Sequence, residues 1–283
     1  MKIAHVADLH FSHASYSPLQ FLSKRWLGNC NLMFSRKRTF CVQHIDPLPD
    51  LFRSLGVDLV LITGDVSTTS LDEEFALSAE FANKCIALGM SVKALPGNHD
   101  CYTKASCRTK RFYDFFDPCW GEGNLKEERL SSIDLGEALL IGLDTSCATH
   151  LASSQGRFDT ALERRLRERL GSISSKVPVF LANHFPFFAQ SCSRRNLAGR
   201  ELLRRVIEEH PCIRMYFQGH THRHCVADLR GHGLPVILDS GSSSHKTSGT
   251  WNLVDYTDKT ATVSTYFWSD GTWGVAKEIG ITW

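Results

Sequence analysis

The chain has 283 residues, 42% of them hydrophobic, and a formal net charge of +2. That length and apolar content can bury a large core, as one sizeable domain or two small ones. So small a net charge excludes a global field drawing the protein to nucleic acid or anionic lipid, and no apolar run is long enough for a transmembrane helix.

In chain order, residues 2–7 form a short apolar run that reads as a buried strand and ends at Asp8-Leu9-His10. It starts beside Met1, which leaves no room for a secretory signal and predicts a cytoplasmic protein. Residues 12–45 then contain no Asp or Glu. They carry two basic clusters, Lys24-Arg25 and Arg36-Lys37-Arg38, among Phe21, Leu22, Trp26, Leu27, Leu32, Met33 and Phe34. Such a stretch can lie peripherally on the inner face of a membrane, cap a greasy substrate or attract an anionic phosphate. Packing of its apolar residues on the rest of the domain, with the basic ones in water, is the simpler expectation.

A second strand at 57–63 leads to Gly64-Asp65, with a helix at 72–86, and a third at 92–95 leads to Gly97-Asn98-His99-Asp100. Segments 131–133 and 138–143 flank Leu135-Gly136 as a hairpin. The clearest helix is 160–170: Thr160 and Glu163 have capping-box spacing, and Leu162, Leu166 and Leu170 share one face. Its Arg164, Arg165, Arg167 and Arg169 fit a solvated face beside Glu163 and Glu168 better than a nucleic-acid surface. A strand at 179–182 precedes Asn183-His184-Phe185-Pro186. A helix at 197–209 and a strand at 213–217 lead to Gly219-His220-Thr221-His222. Beyond lie short alternating segments at 236–238, 253–256, 261–267 and 273–275, which predict a second sheet packed on the first. No linker divides the chain, so 1–283 reads as one domain with an insert at about 12–45 and a β-rich part at about 223–283. The ten cysteines form no CxxC pair and read as free thiols.

The motif residues are carboxylate, amide and imidazole donors, a set that suits divalent manganese, iron, zinc, cobalt or nickel and suits calcium poorly. No cysteine falls inside a motif, so a thiolate zinc site of the structural kind is not indicated. Each motif follows an apolar run, which places the donors beyond strand C-termini, where open α/β sheets form their binding crevices. Any single motif occurs often by chance, but five in order do not.

That ordered set resembles the calcineurin-like metallophosphoesterase superfamily. The helix feeding the last motif and the β-rich tail look most like its cyclic-nucleotide phosphodiesterase-like branch. The resemblance implies an α/β fold with two face-to-face mixed β-sheets flanked by helices, a four-layer α/β/β/α sandwich. It implies two divalent metal ions, manganese first among them: Asp8, His10 and His222 on one, Asn98, His184 and His220 on the other, and Asp65 bridging both. The implied reaction is hydrolysis of a phosphoester, diester or monoester, by in-line attack of a metal-bridging hydroxide on a phosphorylated small molecule. His99 is then expected to stabilise the phosphoryl oxygens or protonate the leaving group, with Asp100 either orienting His99 or acting as an N-cap for the segment after the loop. His13, His224 and His245, the last beside a Ser/Gly loop at 240–244 that can line the substrate pocket, are further candidates. Two other readings stay open. One is a UDP-2,3-diacylglucosamine pyrophosphatase of lipid A synthesis, although the best-known enzymes of that step carry Arg at the position of His99. The other is a non-catalytic scaffold, against which the complete donor set counts.

Overall fold

The computed structural model describes residues 1–13, 39–149 and 153–283, so both basic clusters of the 12–45 segment lie outside the described residues. In chain order its strands are β1 (Lys2–Val6), β2 (Leu59–Thr63), β3 (Ser91–Leu95), β4 (Glu122–Asn124), β5 (Leu130–Asp134), β6 (Leu139–Leu143), β7 (Gly156–Arg157) and β8 (Val179–Asn183). They continue as β9 (Leu197–Ala198), β10 (Ile213–Gln218), β11 (His224–Asp228), β12 (Val236–Ser240), β13 (Thr250–Tyr256), β14 (Thr260–Ser269) and β15 (Thr272–Thr282). The helices are α1 (Leu48–Ser54), α2 (Asp72–Ala87), α3 (Lys104–Thr109), α4 (Leu125–Glu128), α5 (Thr160–Gly171) and α6 (Arg200–Glu209).

One sheet runs β15-β14-β13-β1-β2-β3 and the other β11-β12-β10-β8-β6-β5-β4, while β7 and β9 pair separately. Both sheets are mixed. In the first, β1, β2 and β3 are parallel; in the second, β6, β8, β10 and β12 are parallel. The C-terminal strands therefore do not form a sheet of their own, as the sequence pattern suggested: β13 to β15 extend the first sheet and β11 and β12 the second. The antiparallel pairing of β13 with β1, Ile3 opposite Val254, draws the tail into the N-terminal sheet.

Period-two alternation sorts the second sheet into two faces. Leu140, Phe180, Ala182, Met215, Phe217 and Leu238 join the core shared with the first sheet, whereas Ile141, Leu143, Val179, Leu181 and Ile237 pack under α5 and α6 with Leu162, Leu166, Leu203 and Val206. Ring contacts bridge the sheets, Phe180 to Tyr256 at 4.7 Å and His5 to Phe217 at 5.1 Å. On the opposite face of the first sheet, Phe52 of α1 meets Trp251 at 4.9 Å.

Two helix starts differ from expectation for local reasons. α5 is capped by Asp159, whose side chain accepts from Leu162 N, and not by Thr160. α6 begins at Arg200 because Leu197 and Ala198 are used as a strand against Gly156 and Arg157. Gly199 then turns the chain at φ +83°, where any Cβ would strike the Phe158 carbonyl. The α5 arginines are paired, Arg167 with Glu163 at 3.1 Å and Arg169 with Glu122 at 2.9 Å, as a solvated face would be. The nine described cysteines are free thiols. Among the described residues, no helix is long and apolar enough to cross a membrane.

Phe180 is fully buried between the sheets. Phe180→Ala should lower the unfolding free energy by about 3–5 kcal/mol in urea titration, the usual range for deleting a buried phenyl group. A loss well below that range would mean the inter-sheet core is not packed as described.

Candidate metal centre

The parallel strands of both sheets end at one edge, and the loops leaving them interlock. Asp8 N donates to Gly64 O at 3.0 Å, His10 N to Asp65 O at 3.0 Å, and Gly219 N to His184 O at 3.0 Å. This close approach accounts for the motif glycines. A Cβ at Gly97 would strike Asp65 Oδ1, and one at Gly219 would stand 2.8 Å from Asp8 Oδ2. At Gly64, which also needs φ +91°, a Cβ would stand 2.5 Å from His184 Nδ1. Of the nine described non-glycine residues with positive φ, five are Asp8, His10, Asp65, His220 and His222. Backbone strain is thus concentrated where the donors converge.

The donors fall into two adjoining groups. Single donor atoms of Asp8, His10, Asp65 and His222 all lie within 4.8 Å of one another. His222 Nε2 is 3.0 Å from Asp8 Oδ1 and 3.1 Å from His10 Nε2. On the other side of Asp65, His184 Nε2 is 3.4 Å from Asp65 Oδ2 and 3.3 Å from Asn98 Oδ1, and His220 Nδ1 is 2.8 Å from the same Asn98 oxygen. Backbone carbonyls set the tautomers, since a carbonyl can only accept. His184 Nδ1 donates to Thr63 O at 2.7 Å, leaving Nε2 as the donor atom; His220 Nε2 donates to Arg195 O at 3.0 Å, leaving Nδ1. The residues fit a pair of divalent ions: Asp8 Oδ1 is buried with no hydrogen-bond partner, and imidazole nitrogens face it. Asp8, His10, Asp65, Asn98, His184 and His220 are buried, while His99 and His222 form the half-buried, open edge.

The sequence model of the family described as "Calcineurin-like phosphoesterase" matches residues 1–224. The chain belongs to that family. Membership makes it a metal-dependent phosphoesterase, a hydrolase acting on phosphoric ester bonds. Similar solved structures include a dimetal phosphatase from Danio rerio, 13% identical, TM-score 0.67, covering 99% of this chain and 98% of that one. Purple acid phosphatase PPD1 from yellow lupin (Lupinus luteus) seeds is 15% identical, TM-score 0.61, covering 99% of this chain and 53% of that one. GAP50, described as the anchor in the inner membrane complex of Plasmodium, is 9% identical, TM-score 0.59, covering 100% of this chain and 88% of that one. At these identities the likeness is one of fold. No curated protein matches the sequence significantly.

Within this calcineurin-like centre the charges are set by imidazoles. Burial alone would raise Asp65, but His184, His99 and His10 hold its carboxyl well below the usual carboxylate range. His184, pushed down by burial, is raised to about 9 by Asp65 and Asp8. His220 falls to about 3 through burial and the neighbouring His184, so it is a neutral donor throughout the physiological range.

Three expectations are corrected. Asp100 neither orients His99 nor caps a helix. Its carboxylate accepts from Ser67 N at 2.9 Å, Ser67 Oγ at 2.7 Å and Gly97 N at 2.8 Å, tying the second loop to the third. Burial and the Asp65 charge push it up to about 7. His99 is held instead by its own backbone N on Asp65 Oδ1 at 2.7 Å and by Nδ1 on Thr68 O at 2.7 Å. The Ser/Gly loop faces inward, with Ser240, Ser242, Ser243 and Ser244 fully buried, so it does not line an open pocket. His224 is likewise turned inward, 2.8 Å from Asn252 Oδ1.

Other residues of the centre have no motif. Glu74, buried at the third position of α2, accepts from Thr68 N, Thr69 N and Leu71 N and so fixes the loop whose carbonyl holds His99. A Glu three residues into a helix is the signal for it. Phe40 returns from the 12–45 segment to lie 4.6 Å from the His10 ring and 5.5 Å from that of His222, anchored by Cys41 N on Ser244 O at 2.7 Å. Nothing local in the sequence marks Phe40.

These charges give a pH dependence. The folded His184 binds its proton more tightly than the ordinary value of 6.5, so its contribution is complete below that value and lost as pH rises through about 9. Metal-stripped protein should therefore lose thermal stability across that window. Manganese uptake, which needs His184 neutral, should release protons and tighten with rising pH in calorimetry. A flat profile in both measurements would show that His184 is not protonated in the metal-free protein.

Proposed function

We propose that the protein is a phosphohydrolase that binds two divalent metal ions, manganese by preference, and cleaves a phosphoester, diester or monoester, of a small-molecule substrate. The observation that carries this reading is the pair of adjoining donor groups sharing Asp65. Asp8, His10 and His222 would hold one ion, Asn98, His184 and His220 the other, and Asp65 both. The ions, when bound, would lower the pKa of a water nucleophile and polarise the phosphoryl group.

The chain's own residues do the rest. Asp65 uses one oxygen to fix His99 N, so the residue that acts on the phosphate is held by the residue that joins the two donor groups. With Nδ1 committed to Thr68 O, the Nε2 edge of His99 is the one suited to donate to a phosphoryl oxygen or to pass a proton to the leaving group. Tyr102 stacks on the His99 ring at 5.6 Å and limits its rotation. The names of the Danio and lupin neighbours, a dimetal phosphatase and a purple acid phosphatase, agree with the reading. The Plasmodium neighbour is described as an anchor, but the complete donor set here favours catalysis over scaffolding.

Asp65→Asn should abolish hydrolysis and weaken uptake of both ions. His99→Ala should lower turnover by about 10²–10⁴-fold, the span for a proton-transferring group, with metal content unchanged by elemental analysis. Loss of metal in His99→Ala would make His99 a ligand instead.

Substrate class can be read from a panel assayed with manganese-loaded protein: an aryl monoester, an aryl diester, cyclic nucleotides and UDP-diacylglucosamine. The soluble phosphoesters should be turned over fastest. Preference for the lipid nucleotide by an order of magnitude or more would move the reading to the lipid A pyrophosphatase.

A further inference from the structure

β12 carries no ligand motif, yet its C-terminal end is tied to both ends of one donor group. Asp239, buried near the end of that strand, accepts from Thr221 Oγ1 at 2.8 Å and Gln218 Nε2 at 3.0 Å through Oδ2, and from Gly241 N at 3.0 Å through Oδ1. The same Thr221 hydroxyl oxygen accepts from Arg223 N at 3.0 Å. The two residues flanking His222 are thus joined to each other and to Asp239 by one hydroxyl group. Just beyond the strand, Ser242 Oγ and Ser244 Oγ donate to the Asp8 carbonyl at 2.7 and 3.1 Å, and Ser243 N donates to Ala7 O at 3.2 Å. Asp8 and His222 both have left-handed backbone, φ +52° and +55°, a conformation that must be held by its surroundings. In the other donor group His184 is fixed by Thr63 O and the His220 ring by Arg195 O, and the two groups meet where His220 N donates to Asp8 Oδ2 at 2.9 Å.

We propose that the segment Asp239 to Ser244 positions the Asp8–His10–His222 half of the metal centre, Asp239 acting on His222 through the Thr221 hydroxyl and the two serines acting on Asp8 through its carbonyl. These are positioning residues, and the inference rests on the two-ion reading above. Partners behind a metal ligand typically tune affinity by about 10–100-fold. The consequence is an asymmetry: damage to this segment loosens one ion more than its neighbour, which shares only the His220 N contact to Asp8.

The test is calorimetric titration of metal-stripped protein with manganese, read beside the absorption spectrum of the cobalt-loaded form and the melting temperature of the metal-free form. Wild type should take up two equivalents. Thr221→Val, which replaces the hydroxyl by a methyl group, and the double variant Ser242→Ala/Ser244→Ala should each weaken one equivalent by about 10–100-fold and the other by clearly less. The cobalt spectrum should change, and any fall in the metal-free melting temperature, which follows when a buried acceptor loses its donor, should leave the two equivalents unequal. Thr221→Ser, which keeps the hydroxyl, should restore wild-type binding. Two unchanged equivalents in both variants, or equal weakening of both equivalents together with a lower metal-free melting temperature, would overturn the positioning role. Fewer than two equivalents in wild type would instead overturn the two-ion reading, and this inference with it.

Discussion

The constraint on which the centre depends is that two carboxylates, Asp8 and Asp65, are buried with imidazoles as their only cationic partners among the described residues. Among the described residues their ion-pair partners are His10, His184 and His222, and no lysine or arginine reaches them. An uncompensated buried carboxylate costs several kcal/mol even after relaxation. A permanent cation would remove that cost and close the site. Histidines remove it conditionally, because the proton that His184 carries beside Asp65 can leave when a divalent ion arrives. The fold stores charge in a form that metal can displace.

That arrangement needs side chains from both sheets at a common edge, and the strain in the loops is the visible consequence. Left-handed residues on these ligand loops are tolerated only where neighbouring groups over-determine the backbone. The loops after β1, β2 and β3 are clamped from inside the protein. Asp100 binds the loop after β2 to the one after β3, Glu74 gathers the amides of Thr68, Thr69 and Leu71, and the serines after β12 hold the Asp8 carbonyl. Glycines at 64, 97 and 219 let the loops approach until a Cβ would collide with a donor residue.

Much of this was legible because the candidate ligands sit immediately beyond apolar runs, and both features are local. β1, β2, β3, β8 and β10 announce themselves by their runs, and Asp8, His10, Asp65, Asn98, His184, His220 and His222 by their motifs. The errors arise where a partner distant in sequence decides. Asp100 resembled a support for His99 because it is adjacent in the chain, but its acceptors are used by loops more than thirty residues away. The terminal strands looked like a separate sheet because alternation reports a half-buried face without naming the neighbour, and β13 finds β1 across the whole chain. β6 and β12, parallel like the motif strands, also end at this edge, in Asp144 and Asp239. They carry no motif because their buried carboxylates serve hydroxyl and amide groups, Tyr113 and Ser146 for one and Thr221 and Gly241 for the other.

The same division separates reaction from substrate. Six of the seven donors are buried, so most of the cluster is insulated from changes at the surface. The open edge is built from different material: His99 and His222, with Phe40 against the rings of His10 and His222 and Tyr102 against His99. Phe40 is contributed by the end of the 12–45 segment, joined to the Ser/Gly loop through Cys41 N and through Lys246 N on Thr39 O at 2.8 Å. A residue in that position packs on the His10 and His222 rings at the open edge of the centre. Under the proposed function, substitution there would change the open edge while the buried donors stay in place. The buried donor set can therefore name a reaction class, while the substrate is left to the residues of the open edge.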